Sequence, residues 1–471
     1  MQLTLSSYET LVARRISLKA GEMGIPSWII GGFVRDKIIG RPTNEIDVVC
    51  IGDGIGLAQA VAESFRPKPP VSYFKNFGTA QIKLPDLVVE FVGARRESYR
   101  AESRKPEVEP GTLEDDQNRR DFTINAMGMS LNEPDFGELI DPFGGMKHLK
   151  EGLLVTPLDP VLTFSDDPLR MLRGIRFAAQ LGFTIHPAAF GAIQSQKERI
   201  KIVSGERVID EINKMVLSPR PSIGFDLMYK SGLLEIIFPQ MVALAGAQYI
   251  DGHGHKDNFY HTLQVLDNIS ENTENLWLRW AAILHDIGKP PTKKFEEGHG
   301  WTFHGHEVVG ARMVPKIFKQ LKLPQNEKMK YVQKLVEMHL RPISVTRENI
   351  TDSAIRRLLF DAGDDFEDLM TLCSADITSK NKSKVKRFRE NFELVKERCA
   401  EVEQKDQVRN WQPPVDGNEI MGLFGLSQGK MVGLLKNALR EAILEGEISN
   451  TREAALIFLE SEAKGLGVEK N

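Results

Sequence analysis

The stretch Ser27-Trp28-Ile29-Ile30-Gly31-Gly32-Phe33-Val34-Arg35-Asp36, with Glu45-Ile46-Asp47-Val48-Val49-Cys50 close behind it, decides the fold. An apolar run stops at two glycines, a helix-like segment opens over Val34–Ile39, and a second run begins with acids two residues apart. Positions two apart in a strand share a face, so Glu45 and Asp47 stand side by side. Neighbouring carboxylates repel unless a cation lies between them, and a hard, oxygen-liganded ion such as Mg²⁺ answers that need. Glu90, in Val88-Val89-Glu90-Phe91-Val92, is placed to add a third carboxylate from an adjacent strand. Such a set holds two metals that activate a hydroxyl and neutralise a leaving pyrophosphate, whereas a solvated strand face explains any one of the acids. Gly31 and Gly32 would let backbone N–H groups approach phosphates at a helix start; a tight turn without a ligand fits the glycines as well.

Outward from this core, the spacing predicts a helix over Tyr8–Ala20, strands at Thr79–Leu84 and Leu87–Val92, and a charged loop from Arg95 to Glu109. Past residue 150 or so the strand signals fade. Asp167–Leu181, Glu206–Val216 and most of the chain beyond Asn258 show helical spacing. Gly246, Gly252 and Gly254, with His253 and His255, read as a linker, and Trp411-Gln412-Pro413-Pro414 breaks a helical tail. The expected architecture is an α+β head (1–150), a helical neck and body (151–250), a central helical domain (251–380) and a helical tail (381–471).

Composition limits the choices further. With 471 residues, 41% hydrophobic and 27% charged, the chain has globular proportions, which excludes disordered and fibrous classes. Sixty-one basic against 65 acidic side chains leave a net charge of −4, so nucleic-acid contact needs a local basic surface. Lys380, Lys382, Lys384, Lys386, Arg387 and Arg389 offer one, or form a solvated helix face. Cys50, Cys373 and Cys399 lie far apart, against a disulfide framework or a cysteine zinc site. Glu9, Arg14 and Arg15 interrupt the apolar run that a secretion signal needs, and no segment reaches the ~20 apolar residues of a membrane span. A cytoplasmic setting is expected.

Two further motifs carry chemistry. Arg119-Arg120-Asp121-Phe122-Thr123-Ile124-Asn125 pairs arginines suited to phosphates with Asp121 and Asn125, four apart. Ser165-Asp166-Asp167-Pro168-Leu169-Arg170-Met171-Leu172-Arg173-Gly174-Ile175-Arg176 starts with capping residues and a first-turn proline. Asp167 and Arg170 are near neighbours and form either an intrahelical ion pair or a base reader. As a reader, the carboxylate accepts from an exocyclic amino group and the guanidinium donates to a ring nitrogen. That pattern selects cytosine and adenine over uracil and guanine.

In this order the motifs resemble the class II CCA-adding enzymes of the tRNA nucleotidyltransferase/poly(A) polymerase family, over about the first 220 residues. The resemblance implies a polymerase β-like nucleotidyltransferase head followed by all-α neck, body and tail. It also implies Mg²⁺-dependent, template-independent addition of C, C and A to tRNA from CTP and ATP. Carried over by motif, Glu45 and Asp47 hold the metals; Glu90, read from its place in the adjacent strand, is the candidate third carboxylate. Gly31, Gly32, Arg35, Arg119, Arg120, Asp121, Asn125, Asp167, Arg170, Arg173 and Arg176 are the candidate nucleotide-binding residues. The chain departs from the family at Glu45, where Asp is usual, and at Asp166, where Glu is usual. The 95–109 segment has the length found in full CCA enzymes rather than CC-only ones. A poly(A) polymerase and an A-only or CC-only enzyme remain alternatives.

Eight of the ten histidines fall between His253 and His339. Imidazoles mixed with carboxylates suit borderline transition metals, which activate water for phosphoester hydrolysis. The adjacent His285-Asp286 pair sits in an apolar helical stretch, where a bare carboxylate would be costly. The order His261, His285-Asp286, Asp376 resembles an HD-domain phosphohydrolase, and His306 and His339 match the extra histidines of two-metal members. A phosphohydrolase whose head only binds RNA is the alternative from another class.

Overall fold

The computed structural model describes residues 2–74, 78–100, 103–247, 249–250, 253–254, 257–345, 351–378, 382–406 and 411–468. They fold as two compact units, 1–242 and 243–471. The four segments expected from the sequence remain a proposed subdivision of these.

Alternation at the start of the Glu45 run is what builds the head. Ile46 and Val48 point into the core while Glu45 and Asp47 face the other way. In chain order the strands are β1 (Ser27–Ile30), β2 (Glu45–Cys50), β3 (Val71–Phe74), β4 (Thr79–Lys83), β5 (Val88–Gly93), β6 (Arg95–Arg100), β7 (Ser103–Pro110), β8 (Gly128–Ser130) and β9 (Leu139–Ile140). Seven of them form one sheet in the order β3-β4-β5-β2-β1-β8-β9. Its neighbours are antiparallel except β2 and β5, whose parallel register sets Asp47 opposite Glu90. Parallel neighbours need a long crossover, and the helix Gly54–Glu63 with β3 and β4 supplies it. The helix Ser7–Glu22, closed by a Ser6/Glu9 capping box, buries Val12, Ala13 and Ile16.

The segment expected as a loop from Arg95 to Glu109 is instead the antiparallel pair β6–β7. Its dense charge hides the strand signal. In register, however, Arg96 lies opposite Glu109, a pairing of opposite charges that favours the ladder. Short strands also persist past residue 150: Leu153–Leu154 pairs with Thr184–Ile185, and Lys294–Glu296 with Gly300–Thr302.

The neck begins later than its spacing predicts. Pro168 disfavours helix at the residue before it, so one helix ends at Asp166 and the next runs Leu169–Leu181. This second helix buries Met171, Leu172, Ile175 and Ala178, and packs on Gly205–Val216 and Pro221–Ser231.

The second unit is helical apart from short strand pairs. Helices Asn258–Ser270, Leu276–Leu284, His306–Gln320, Glu327–Met338 and Phe366–Asp376 bury Phe259, Trp280, Phe318, Leu335 and Leu369. After the helix Lys382–Asp406, three helices between Gly417 and Gly465 close over Ile420, Leu435, Leu439 and Leu459. Of the linker residues, His253 and Gly254 pair with Tyr249–Ile250, while Gly252 and His255 lie outside the described residues. Lys380 also lies outside them; in the basic cluster only the Lys386 and Arg387 side chains are described, both exposed. Among the described residues no helix is long and apolar enough to cross a membrane.

Gly174 marks where the neck helix meets the head. A Cβ there would sit 2.6 Å from Cζ of Phe122, a ring with no solvent exposure that packs against Phe164 and Phe177. Gly174→Ala is therefore expected to destabilise the fold by about 1–3 kcal/mol through overpacking, read as a lower midpoint in thermal denaturation.

Candidate functional site

Three carboxylates converge on the head sheet. Glu45 and Asp47 share a face of β2, and Glu90 enters from β5 in register with Asp47. Burial pushes Asp47 above its ordinary range; Arg120 draws it back and Glu45 adds to the rise. Glu90 is raised by burial and then by the charges of Asp47 and Glu45. Asp47 and Glu90 thus each feel neighbouring carboxylates, the electrostatic condition that a divalent cation relieves, and oxygen donors of this kind fit Mg²⁺. Beside them Gly31 adopts φ +91°, and a Cβ at that position would lie 2.8 Å from Nη1 of Arg120 and 3.6 Å from Oδ2 of Asp47. Only a glycine leaves that turn open.

The arginine motif folds as a frame around one residue that the motif reading passes over. Asp116, with no solvent exposure, binds Arg119 through Oδ1 and accepts from Arg120 Nε through Oδ2 at 3.0 Å. Burial opposes its ionisation, but Arg120 and Arg119 outweigh that and hold the carboxyl below its usual range. Arg120 Nη1 also donates to the Asn125 carbonyl at 3.3 Å, which leaves the guanidinium against the Gly31 turn. The sequence signal for Asp116 is its place in the helix Leu113–Asn118, three and four residues before the arginine pair.

Asp121 and Asn125 do meet, with Asn125 Nδ2 donating to Asp121 Oδ1 at 3.0 Å. Their partners, however, come from the protein. Asp121 also accepts from Phe122 N and, through Oδ2, from Arg173 Nε at 2.7 Å. Although burial works against it, Arg173's charge and these bonds lower the carboxyl to about 2. Arg35 likewise donates to Asn125 Oδ1 at 2.6 Å and grips Asp36 with Nε and Nη2. Both act as ties that shape the cleft wall.

The neck supplies the opposite wall. The Asp167–Arg170 ion pair allowed by the spacing does not form. Asp167 Oδ1 caps Leu169 N, and its Oδ2 lies 3.6 Å from Arg207 Nη2. Arg170 is buried and donates to the Thr163 carbonyl at 3.2 Å. Arg176 is held by Glu211 at 2.6 Å and lies over the Phe177 ring. Glu45, Asp47, Arg119, Arg120, Asp167, Arg170 and Arg173 all line one cleft of ~670 Å³, large enough for a nucleotide. Arg207, from the helix Gly205–Val216, belongs to that wall too; no motif pointed to it.

In the second unit, the sequence-selected histidines and acids come together. His285-Asp286 sits in the turn following the helix Leu276–Leu284 rather than within it. His261 Nε2 is 2.9 Å from Asp376 Oδ1 and 3.5 Å from Asp286 Oδ2. His285 Nε2 is 3.2 Å from Asp286 Oδ2, and His306 Nε2 is 3.3 Å from its Oδ1. Two sets of possible ligand atoms result, His261-His285-Asp286 and Asp286-His306-His339, sharing Asp286. Nδ1 of His285, His306 and His339 each bonds a backbone carbonyl at 2.7–2.8 Å, fixing the rings. Their buried Nε2 atoms lie 3.2–3.9 Å from Asp286 oxygens without making a well-formed hydrogen bond. Rings anchored through one nitrogen with the other orphaned fit transition-metal ligation. Burial and then His285's charge lower His339 to about 4; although burial opposes it, Asp286 and Asp376 raise His285 to about 10, so His285 holds a proton that metal ligation would displace. Lys289, another residue the sequence reading did not select, places Nζ 2.6 Å from Asp286 Oδ2.

The comparisons with known proteins follow the same division. Residues 27–155 match the Poly A polymerase head domain, 182–244 the probable RNA and SrmB-binding site of polymerase A, and 258–377 the HD domain. The A-adding tRNA nucleotidyltransferase of Deinococcus radiodurans is 32% identical over 356 residues, 73% of this chain and 78% of that protein. A multifunctional CCA protein of Pseudomonas fluorescens Pf-5 is 34% identical over 315 residues, 63% and 70% of the respective chains. In fold, the chain is similar to a CCA-adding enzyme solved with ATP, at a TM-score of 0.65 and 20% identity, over 98% of this chain and 96% of that one. It is also similar to the Thermotoga maritima CCA-adding enzyme complexed with tRNA-CCA, at a TM-score of 0.61 and 19% identity, over 97% and 96%.

Two outcomes are expected from this geometry. Asp116→Asn removes the charge that aligns both arginines, so nucleotide incorporation should fall about 100-fold in kcat/KM in a steady-state assay. In the second unit, a Cβ on Gly288 would lie 2.1 Å from the His306 carbonyl oxygen. Gly288→Ala should displace His306 from the candidate ligand set, and Mn²⁺ used as a probe ion should then bind about tenfold or more weakly, measured by equilibrium dialysis.

Proposed function

Because the chain belongs to the tRNA nucleotidyltransferase/poly(A) polymerase family and carries an HD domain, we propose that it adds C, C and A to tRNA 3′ ends from CTP and ATP without a template. Its HD domain is proposed to hydrolyse phosphoesters. The observation that carries the first activity is the cleft that Glu45 and Asp47 of β2 line together with Asp167 and Arg170 of the neck; Glu90, in register with Asp47 on β5, is not part of its lining. In this reading Glu45, Asp47 and Glu90 hold Mg²⁺, which supplies positive charge to the triphosphate and the departing pyrophosphate. Arg119 and Arg120, aligned by Asp116, meet the phosphates beside the Gly31 turn. The tRNA 3′ oxygen bonds to the α-phosphorus, and pyrophosphate leaves.

Base choice falls to Asp167 and Arg170. Arg170 is anchored through one donor to Thr163, and Asp167 is steadied by Arg207, so both keep hydrogen-bonding capacity toward the cleft. A fixed pair of acceptor and donor favours cytosine and adenine. The β6–β7 segment, whose length resembles that of complete CCA enzymes, supports full CCA addition. The A-adding relative supports A-only addition as a second reading. In the HD domain, His261, His285, Asp286, His306, His339 and Asp376 are the proposed ligands of divalent transition metal ions. Work on tRNA gives the protein a cytoplasmic role in this proposal.

Extension of a tRNA that lacks CCA tests the assignment. With CTP and ATP together, three nucleotides should be added; with CTP alone, two. Addition only to a CC-ended tRNA, and only of A, establishes the second reading, while no extension under any combination rejects transfer. In the same assay Arg170→Ala should lower CTP and ATP use and about tenfold relax the discrimination against UTP. Unchanged discrimination would count against the base-reading pair.

A further inference from the structure

Three helices of the second unit carry candidate metal ligands at one end and meet again at the other. His285 follows the helix Leu276–Leu284, His339 follows Glu327–Met338, and Asp376 ends Phe366–Asp376. At the opposite ends Asn275 caps the first helix, Asn326 caps the second, and Asp368 lies in the first turn of the third. There the Tyr331 hydroxyl donates to Asp368 Oδ2 at 2.6 Å and accepts from Asn275 Nδ2 at 3.4 Å, so one side chain joins all three helices. Burial and then the bond to Asp368 raise this hydroxyl above its ordinary range, which keeps it a donor. Lys334 adds bonds to the Ala362 carbonyl at 2.6 Å and to Asp365 Oδ2 at 2.8 Å. Beside this polar seam opens a cavity of ~410 Å³ whose lining includes Asn275, Trp277, Lys328, Lys330 and Tyr331. The helical rise from Tyr331 to His339, and from Asn275 to His285, is about 12–15 Å, which sets the cavity apart from the metal-ligand cluster.

The lining combines ring surface with cations at its rim. Trp277 packs inward on the fully buried Phe318, with ring centroids 6.1 Å apart. It is itself only partly buried and lines the cavity, so Phe318 leaves part of the indole uncovered. Lys328 and Lys330 are exposed. Lys330 lies 3.6 Å from Glu327, a solvent-exposed pair weak enough for another anion to displace. Lys334, by contrast, is committed to the seam. An aromatic surface beside ammonium groups suits a ligand that carries a planar ring and a negative charge, and the volume falls within the range of small-molecule sites. We propose that this cavity binds a compact aromatic anion, its ring against Trp277 and a phosphate- or phosphonate-type group at Lys328 and Lys330. The seam already fixes the floor, so binding there orders few further groups. The site draws on neither the transfer cleft nor the HD ligands and goes beyond both proposed activities.

The test is calorimetric titration of the full-length protein with phenylphosphonate, a ring-bearing anion with no ester bond to hydrolyse, and with methylphosphonate, which lacks the ring. Phenylphosphonate should bind saturably with a dissociation constant below about 1 mM, and methylphosphonate about tenfold more weakly. Trp277→Ala should weaken phenylphosphonate about tenfold and leave methylphosphonate nearly unchanged. Lys328→Glu, a change at an exposed side chain, should weaken both by about tenfold. Absence of saturable phenylphosphonate binding overturns the site. So does wild-type affinity in either variant, which would place the anion at the HD centre or in the transfer cleft instead. If Trp277→Ala does not fold, Lys328→Glu decides alone, and its retention of full affinity overturns the proposal.

Discussion

The candidate transfer cleft depends on one contact buried on its acidic side, the Asp121–Arg173 ion pair. Asp121 belongs to the turn after the paired arginines and Arg173 to the neck helix, so the bond ties the wall that presents phosphate-seeking side chains to the wall that presents Asp167 and Arg170. A lone carboxylate at 5% exposure would be a heavy burden on the fold. Here it gains three donors, from Arg173, Asn125 and the Phe122 amide, and its ionised form prevails. Removing Arg173 leaves that carboxylate buried without its charged partner, at a cost below the about 3–5 kcal/mol of fully buried pairs because the Arg173 side chain is 36% exposed. Phe122, packed next to Gly174, adds an apolar clasp at the same seam.

Around that seam the arginines form a graded system. Asp116 neutralises part of the charge of Arg119 and Arg120, yet Arg120 still moderates Asp47. The cleft is accordingly neither a bare cationic bowl nor an acidic one: Glu45 and Asp47 lie on the sheet, and the turn and helices around them carry arginines interleaved with Asp121, Asp167, Asp210 and Glu211. A chain with a net charge of −4 can in this way present a local surface suited to a polyanion.

Much of this was legible from residue order alone. The strand Glu45–Cys50 follows from acidic–apolar alternation, and its acids share a face as that pattern requires. The HD cluster was readable because histidine is scarce and its adjacency to aspartate in an apolar setting is hard to explain otherwise. Three features were hidden, each for a physical reason. The β6–β7 hairpin carries charge at a density that reads as loop, because cross-strand pairing of opposite charges cannot be seen along one strand. Asp116 looked like an ordinary first-turn helix acid, a role the same spacing serves. Arg207 sits on a regular amphipathic helix and gains meaning only when Asp167, forty residues earlier in the chain, is brought within 3.6 Å. The intrahelical Asp167–Arg170 ion pair does not form because Pro168 moved the helix start beyond Asp167, although both residues line the same cleft.

Asp286 belongs to both ligand sets of the HD centre, with one carboxylate oxygen turned toward His261 and His285 and the other toward His306 and His339. Were two ions to occupy these sets, the shared bridge would make their occupancy a joint property: Asp286, already held by Lys289, would present both oxygens without reorganising, while the charge of one ion would oppose the arrival of the other.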